Sequence, residues 1–411
     1  MRIVLLLICG IVPTICTQCN IERAKQQFEN SLYSFSLDLL TKTVEAKENH
    51  VVISPLSIWT LLSCVSLGAK GSTLKELKKV LNLHKRKCYN KKYLAIAGKV
   101  ANNDTDVVVE KTSSIFLNNK FQVKEEFKSK VNDCVNSFEN LSFEDPTAAA
   151  ERINEFVSNA THDRIKEIIS PDAIDLTTAM IMVDTVYFKG DWEIPFESYN
   201  TVNSKFFNEE GEPIGNVSSM FTYRELNCAH ISFLEAKVLE LQYGNETERY
   251  SMYIFLPDNV ATPDNDVINK LKRANLSTIR YYLPISGKVM AVVRLPRFKI
   301  TSDIDNLKDL LSGMGLKAMF DEKKAKFPII SDQPIYVSNV IHKAEIEVTE
   351  KGTVATAATE LDFTDRAGRP QPFQFFANKP FLFMIVDKEY NIPIFTGTYS
   401  KPTVLRQDSY Y

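Results

Sequence analysis

Histidine is scarce, with five in 411 residues, at His50, His84, His162, His230 and His342. None is spaced with carboxylates or cysteines as HExxH or another zinc motif requires, so no metal site is assigned. The sequence also lacks a Gly-x-Ser-x-Gly elbow, a phosphate-cradling glycine loop and a dinucleotide fingerprint. Triads can be scattered along a chain, which leaves an enzyme as a minor reading with no catalytic residue to name. Charge bias is missing too: the net charge of -2 excludes no partner, and neither a nucleic-acid nor a membrane partner is expected. Beyond the N-terminus, no stretch approaches the ~20 apolar residues of a membrane helix.

What the chain does have begins at Arg2, followed by an apolar run from Ile3 to Val12 and the small or mildly polar Thr14, Cys16 and Thr17. This reads as a secretory signal peptide over residues 1–17, and a buried first strand is the lesser alternative. A secreted, extracellular, soluble monomer is expected. Six Asn-X-Ser/Thr triplets, at Asn103, Asn140, Asn159, Asn216, Asn245 and Asn275, are candidate N-glycosylation sites on that route. Cys9 and Cys16 leave with the signal, so five cysteines remain and at least one thiol is free. Cys64, among Ile58, Leu61, Leu62 and Val65, reads as a buried small thiol. Cys19, Cys88 and Cys134 are the candidates for pairing, with the pairing left open.

At 44% hydrophobic residues, the chain can bury a large core. Phe28, Leu32, Phe35 and Leu39 mark an amphipathic helix over residues 22–45. A short strand, Val51 to Ile53, precedes a helix from Ser57 to Gly68 and another from Thr73. Further helices are expected near 89–101, 124–137, 147–160 and 303–313. Nearly unbroken apolar runs at Thr178 to Phe188, Ser251 to Leu256, Val289 to Phe298 and Phe381 to Val386 predict strands covered on both faces. No linker, repeat or low-complexity block interrupts them, so one α+β domain over residues 20–403 follows, with a tail at 404–411.

One segment departs from the rest. From Glu350 to Thr359 the chain reads Glu-Lys-Gly-Thr-Val-Ala-Thr-Ala-Ala-Thr. From Thr353 onward, alternate positions form a strand code, but with little bulk to hold an isolated strand. Such a segment gains most by entering a gap between strands already formed. The polar, proline-containing stretch Arg366 to Pro372 then reads as an exposed loop.

Upstream lies Val337-Ser338-Asn339-Val340-Ile341-His342-Lys343-Ala344, and the whole segment resembles one stretch of the serpins. Val51 to Ile58 with Leu67-Gly68-Ala69-Lys70-Gly71 resembles that family's early block. Val186-Tyr187-Phe188-Lys189-Gly190-Asp191-Trp192 is similar to its central strand. Leu295-Pro296-Arg297-Phe298 and Phe376-Ala377-Asn378-Lys379-Pro380-Phe381 complete the order. Together the blocks cover nearly the whole mature chain.

The resemblance implies a fold of three β-sheets and about nine helices, with residues 350–372 as hinge and exposed reactive-centre loop. It implies an irreversible inhibitor of an extracellular trypsin-like serine protease, trapped as an acyl-enzyme when the cleaved loop inserts into the large sheet. A non-inhibitory serpin, acting as ligand carrier, chaperone or storage protein, is the alternative. Counting from the family's hinge glutamate, Glu350, places the scissile bond at Arg366-Ala367; Arg369 is disfavoured by the following Pro370. The hinge comprises Glu350, Gly352, Thr353, Ala355, Ala357 and Thr359, and its inward positions are small enough to enter a sheet. A charge at Thr353 would be buried unpaired and let the protease escape.

Ser54, Ser57, Asp184 and His342 match the family's strand-opening region, where Asp184 replaces a usual asparagine. If Asp184 and His342 touch, the carboxylate would favour imidazolium and make stability pH-gated; an aspartate held by hydroxyls is the other reading. Lys85, Arg86, Lys87, Lys91 and Lys92 pack five positive charges into nine residues. Their position resembles the helix with which some serpins bind heparin-like glycosaminoglycans, so such a polymer is a candidate but not a required cofactor.

Overall fold

A computed structural model describes residues 19–47, 50–100, 107–132, 134–244, 248–258, 263–285, 287–304, 307–352 and 371–403. The proposed signal segment, the tail and loop residues 353–370 lie outside them, as do Asn103 and Asn245.

Nine α-helices occur among the described residues: α1 (Ile21–Lys47), α2 (Pro55–Ser66), α3 (Gly71–Val80), α4 (Lys87–Val100), α5 (Glu125–Val131), α6 (Pro146–Ala160), α7 (Pro263–Leu271), α8 (Leu276–Ile285) and α9 (Leu307–Met314). The strands are β1 (Val51–Ile53), β2 (Val107–Asn118), β3 (Ser137–Leu141), β4 (Met180–Gly190), β5 (Val202–Phe207), β6 (Pro213–Ile231) and β7 (Ala236–Tyr243). The rest are β8 (Tyr250–Pro257), β9 (Val289–Pro296), β10 (Phe298–Ile304), β11 (Asn339–Val348), β12 (Phe373–Phe376), β13 (Phe381–Asp387) and β14 (Ile392–Tyr399). No helix among the described residues is long and apolar enough to cross a membrane.

One sheet has five strands in the order β10-β11-β4-β2-β3. The other strands form two layers joined by the 19-residue β6, which pairs with β7 at its end and with β5 and β9 earlier. These three layers are the expected sheets, with β6 belonging to two of them.

The stripe on α1 works as its spacing requires: Phe28, Leu32, Phe35 and Leu39 are fully buried. Helix α2 is buried along all 12 residues and packs against β14, β4 and β2, so it forms the central rod behind the sheet. Its start is set by Ser54 in extended conformation with Pro55 at the first helical position. On the opposite face of the five-stranded sheet, α6 starts at Asp145, whose side chain accepts from the Thr147 and Ala148 N–H groups, a cap contributing about 1 kcal/mol. Its Ile153 and Val157 join Ile181, Val183 and Ile341 in a separate apolar cluster beneath that helix.

Several boundaries differ from the sequence reading. The helix expected over 124–137 stops at Val131, and the chain re-enters the sheet as β3 at Ser137. The helix expected from 303 starts at Leu307 because β10 runs on to Ile304. The Val289 to Phe298 run is broken into β9 and β10, and on β9 Val289, Met290 and Val292 are half-buried and Arg294 exposed, because one sheet face there carries no covering layer. β8 and β13 are buried at every position, as the nearly unbroken apolar runs predicted.

Candidate functional site

The centre of the five-stranded sheet is a parallel ladder between β11 and β4, in which His342 lies opposite Asp184. Both side chains are fully buried, and His342 Nδ1 lies 2.8 Å from an Asp184 carboxylate oxygen. The Ser57 hydroxyl donates to the same oxygen, and the Ser113 hydroxyl donates to the other at 2.6 Å. The Ser54 N–H donates to His342 Nε2 at 3.1 Å. An amide can only donate, so Nε2 accepts, and the proton of the neutral ring sits on Nδ1 facing Asp184. Asp184 and His342 therefore touch, and hydroxyls also hold the aspartate, so both readings of this contact meet in one cluster.

This cluster ties α2, through Ser54 and Ser57, to both strands of the central ladder. Lys111 of β2 lies two residues from Ser113, on the same sheet face; burial lowers its ammonium to about 8, with Asp184 pulling the other way. The Ser114 and Thr185 hydroxyls are buried without a hydrogen-bond partner. Unmet hydroxyls in a sheet interior are uncommon and mark packing that is not optimal.

Just past β11, the chain turns back on itself. Thr349 and Gly352 exchange N–H···O bonds of 2.8 and 3.2 Å, and Gly352 bridges to Asp191 at the end of β4. Gly352 has φ +107, and a Cβ there would lie 2.5 Å from the Gly190 carbonyl and the Trp192 nitrogen, so only glycine fits. The Trp192 ring stacks on Tyr243 with centroids 4.4 Å apart, its Nε1–H donates to the Thr349 carbonyl at 3.0 Å, and its amide donates to Lys351. Glu350 is buried, accepts from the Thr201 hydroxyl at 2.7 Å and pairs with Arg297 Nε at 3.3 Å. The turn is thus pinned beside the upper ends of β4 and β11. Thr353, Ala355, Ala357, Thr359, Arg366 and Ala367 lie outside the described residues.

The basic cluster sits at the start of α4. Lys85, Arg86, Lys87 and Lys91 are exposed and Lys92 is half-buried. Asn90 orders the approach, accepting from the His84 N–H at 2.8 Å and donating to the His84 carbonyl at 2.9 Å. The first turn of α4 contains no acidic residue, so lysines crowd the positive end of a helix dipole. Cys88, in that turn, is bonded to Cys19. The second disulfide, Cys64–Cys134, corrects the reading of Cys64 as a free thiol: a helical apolar pattern reveals burial but cannot reveal a partner 70 residues away in a loop. Among the described residues Cys228 is the free cysteine, buried, with its thiol pushed up to about 12. Asn140, Asn159, Asn216 and Asn275 are all exposed.

Ser113, Thr201 and Arg297 were missed by sequence reasoning. Arg297 lies inside the Leu295-Pro296-Arg297-Phe298 block, but its pairing with Glu350 bridges 53 positions. Ser113 sits in β2, where Glu110-Lys111-Thr112-Ser113-Ser114 obscures the strand code. The description Serpin (serine protease inhibitor) matches residues 30–402. The chain is 30% identical to Glia-derived nexin of Homo sapiens over 95% of its own length and 96% of that relative. Among solved structures, it is similar to Serpin48 of the insect Tenebrio molitor, with TM-score 0.79 and 26% identity over 92% of this chain and 99% of that one. It is also similar to native protease nexin-1 solved with heparin, with TM-score 0.78 and 28% identity over 92% and 100% of the two chains. With its sheets, its hinge turn and these relatives in agreement, the chain belongs to the serpin family of serine protease inhibitors and is not an enzyme.

Proposed function

We propose that this protein is an irreversible suicide-substrate inhibitor of an extracellular trypsin-like serine protease, cleaved at Arg366-Ala367. The observation that carries this reading is the parallel β4–β11 ladder with the chain reversing direction at its end. A segment entering there from Gly352 would run antiparallel to both neighbours. It would replace one parallel ladder with two antiparallel ones, which are the more stable kind per residue. Thr353, Ala355, Ala357 and Thr359 are small enough to face inward during that entry. Arg366 would fill an acidic specificity pocket, and the protease held as an acyl-enzyme would be carried along before water completes hydrolysis.

The likeness to a nexin solved with heparin supports a second element of this reading. Lys85, Arg86, Lys87, Lys91 and Lys92 would bind a heparin-like glycosaminoglycan, whose sulfates would offset the cation crowding at the start of α4. Retention on heparin resin at physiological salt is expected, and elution with a charge-matched control would contradict it. Secretion through residues 1–17 and glycosylation at exposed sequons complete the reading.

The test is to incubate the secreted protein with trypsin-like proteases and separate the products under denaturing conditions. A covalent complex is expected, and Arg366→Ala should abolish it. Loop cleavage without a complex would favour the non-inhibitory alternative.

A further inference from the structure

We propose that the Cys64–Cys134 disulfide is a covalent brake on separation of β4 from β11; the proposal rests on the loop-insertion reading above. Cys64 lies in the last turn of α2, and the segment that follows it is immobilised. A Cβ on Gly68 would lie within 2.9 Å of Ile330 and Phe127, and the Gly68 carbonyl accepts from Ile329 N–H. This end of α2 is therefore packed against α5 and the 327–331 segment.

Cys134 lies in the link between α5 and β3. Val135 is buried, and Asn136 closes two bonds on β2: its N–H donates to the Ser113 carbonyl at 2.8 Å, and its Oδ1 accepts from the Ser113 N–H at 2.9 Å. Pairing of β2 with β3 begins one residue later, at Ser114 and Ser137. Cys134 is thus fastened to the half-sheet β3-β2-β4. That half must part from β11 and β10 for a strand to enter.

Helix α2 holds both halves. It grips β11 through the Ser54 N–H bond to His342 and β4 through the Ser57 bond to Asp184. Hydrogen bonds of this kind can break and re-form as the sheet opens. A disulfide cannot. Its Cα atoms are 6.3 Å apart, and bridged cysteines span at most about 6.8 Å. Adding a strand widens a sheet by about 4.8 Å. The half-sheet therefore cannot translate as a block away from β11 while staying registered on α2. It must pivot about Cys134 or drag the end of α2 out of its packing, and both routes raise the opening barrier.

The test compares uptake of a synthetic peptide of residues 353–364 by three intact proteins: the wild type, the double variant Cys64→Ala/Cys134→Ala, and the control Cys19→Ala/Cys88→Ala. Uptake is followed by native gel shift. The first double variant should take up peptide about tenfold faster than the wild type, equivalent to about 1.4 kcal/mol of barrier, and the control should match the wild type. Equal or slower uptake by the Cys64/Cys134 variant overturns the brake while leaving loop insertion standing. No uptake by any of the three defeats both. Should that variant fail to fold, the wild type is assayed with and without a phosphine reductant, Cys64–Cys134 scission is verified by mass spectrometry, and the same rate comparison decides.

Discussion

At the residue scale, two partly buried basic groups with depressed pKa values shift stability in the same direction with pH, each in its own window. His50 packs beside Tyr399 and accepts from the Ser400 N–H at 3.3 Å; burial, with Lys401 adding to it, lowers its pKa to about 4. Its folded pKa is thus depressed. Its contribution is fully present above the unfolded value of about 6.5 and is lost as pH falls through the folded value, because the unfolded chain takes the proton first. For a half-buried ring, solvent screening reduces this to about 1–2 kcal/mol. His50→Gln should flatten the loss of stability between about pH 6.5 and about pH 4 in urea titrations, and curves parallel to the wild type would contradict this. Lys111 follows the same sign in a higher window: with its folded value held to about 8, it carries a desolvation cost at neutral pH, and stability rises as pH passes from about 8 to the unfolded lysine value. Lys111→Met should raise stability at neutral pH by about 1–3 kcal/mol, and a fall would refute it. Neither role was legible in the sequence, because nothing local to His50 or Lys111 shows which side of a sheet or which terminal strand covers it.

At the scale of elements, the turn at Thr349 to Gly352 leads into the segment proposed as bait. Its glycine was legible as part of a family pattern, but the reason for it was not: the steric demand comes from Gly190 and Trp192, which sequence separates from it by about 160 positions. Strands buried on both faces, such as β8 and β13, were readable because their code needs no partner to be recognised. β2 and the split between β9 and β10 were not, since polar residues facing a buried cluster or an open face blur the period. Gly352→Val should lower the thermal midpoint of the uncleaved protein, at a cost of about 2–4 kcal/mol from backbone strain and displacement of the turn. After loop cleavage, residue 352 would lie in extended strand, so the penalty should shrink. An equal penalty in both forms would show that the turn does not change on insertion.

At the scale of the whole molecule, the features fit the proposal of a sheet that accepts one more strand. A parallel ladder at its centre, buried hydroxyls without partners, a glycine-dependent reversal and a low-bulk segment beyond it each leave free energy that insertion would recover. The order of blocks along the chain made this architecture readable before any coordinates, while the ties that restrain it, Asp184 with Ser113 and Cys64 with Cys134, appeared only when the chain was folded. The measurement that bears most directly on the claim is the thermal midpoint of the intact protein against that of the protein cut in its loop at Arg366-Ala367. The cleaved form is expected to be much more stable than the intact one, because the freed segment would have entered between β4 and β11. Equal midpoints for the two forms would contradict it.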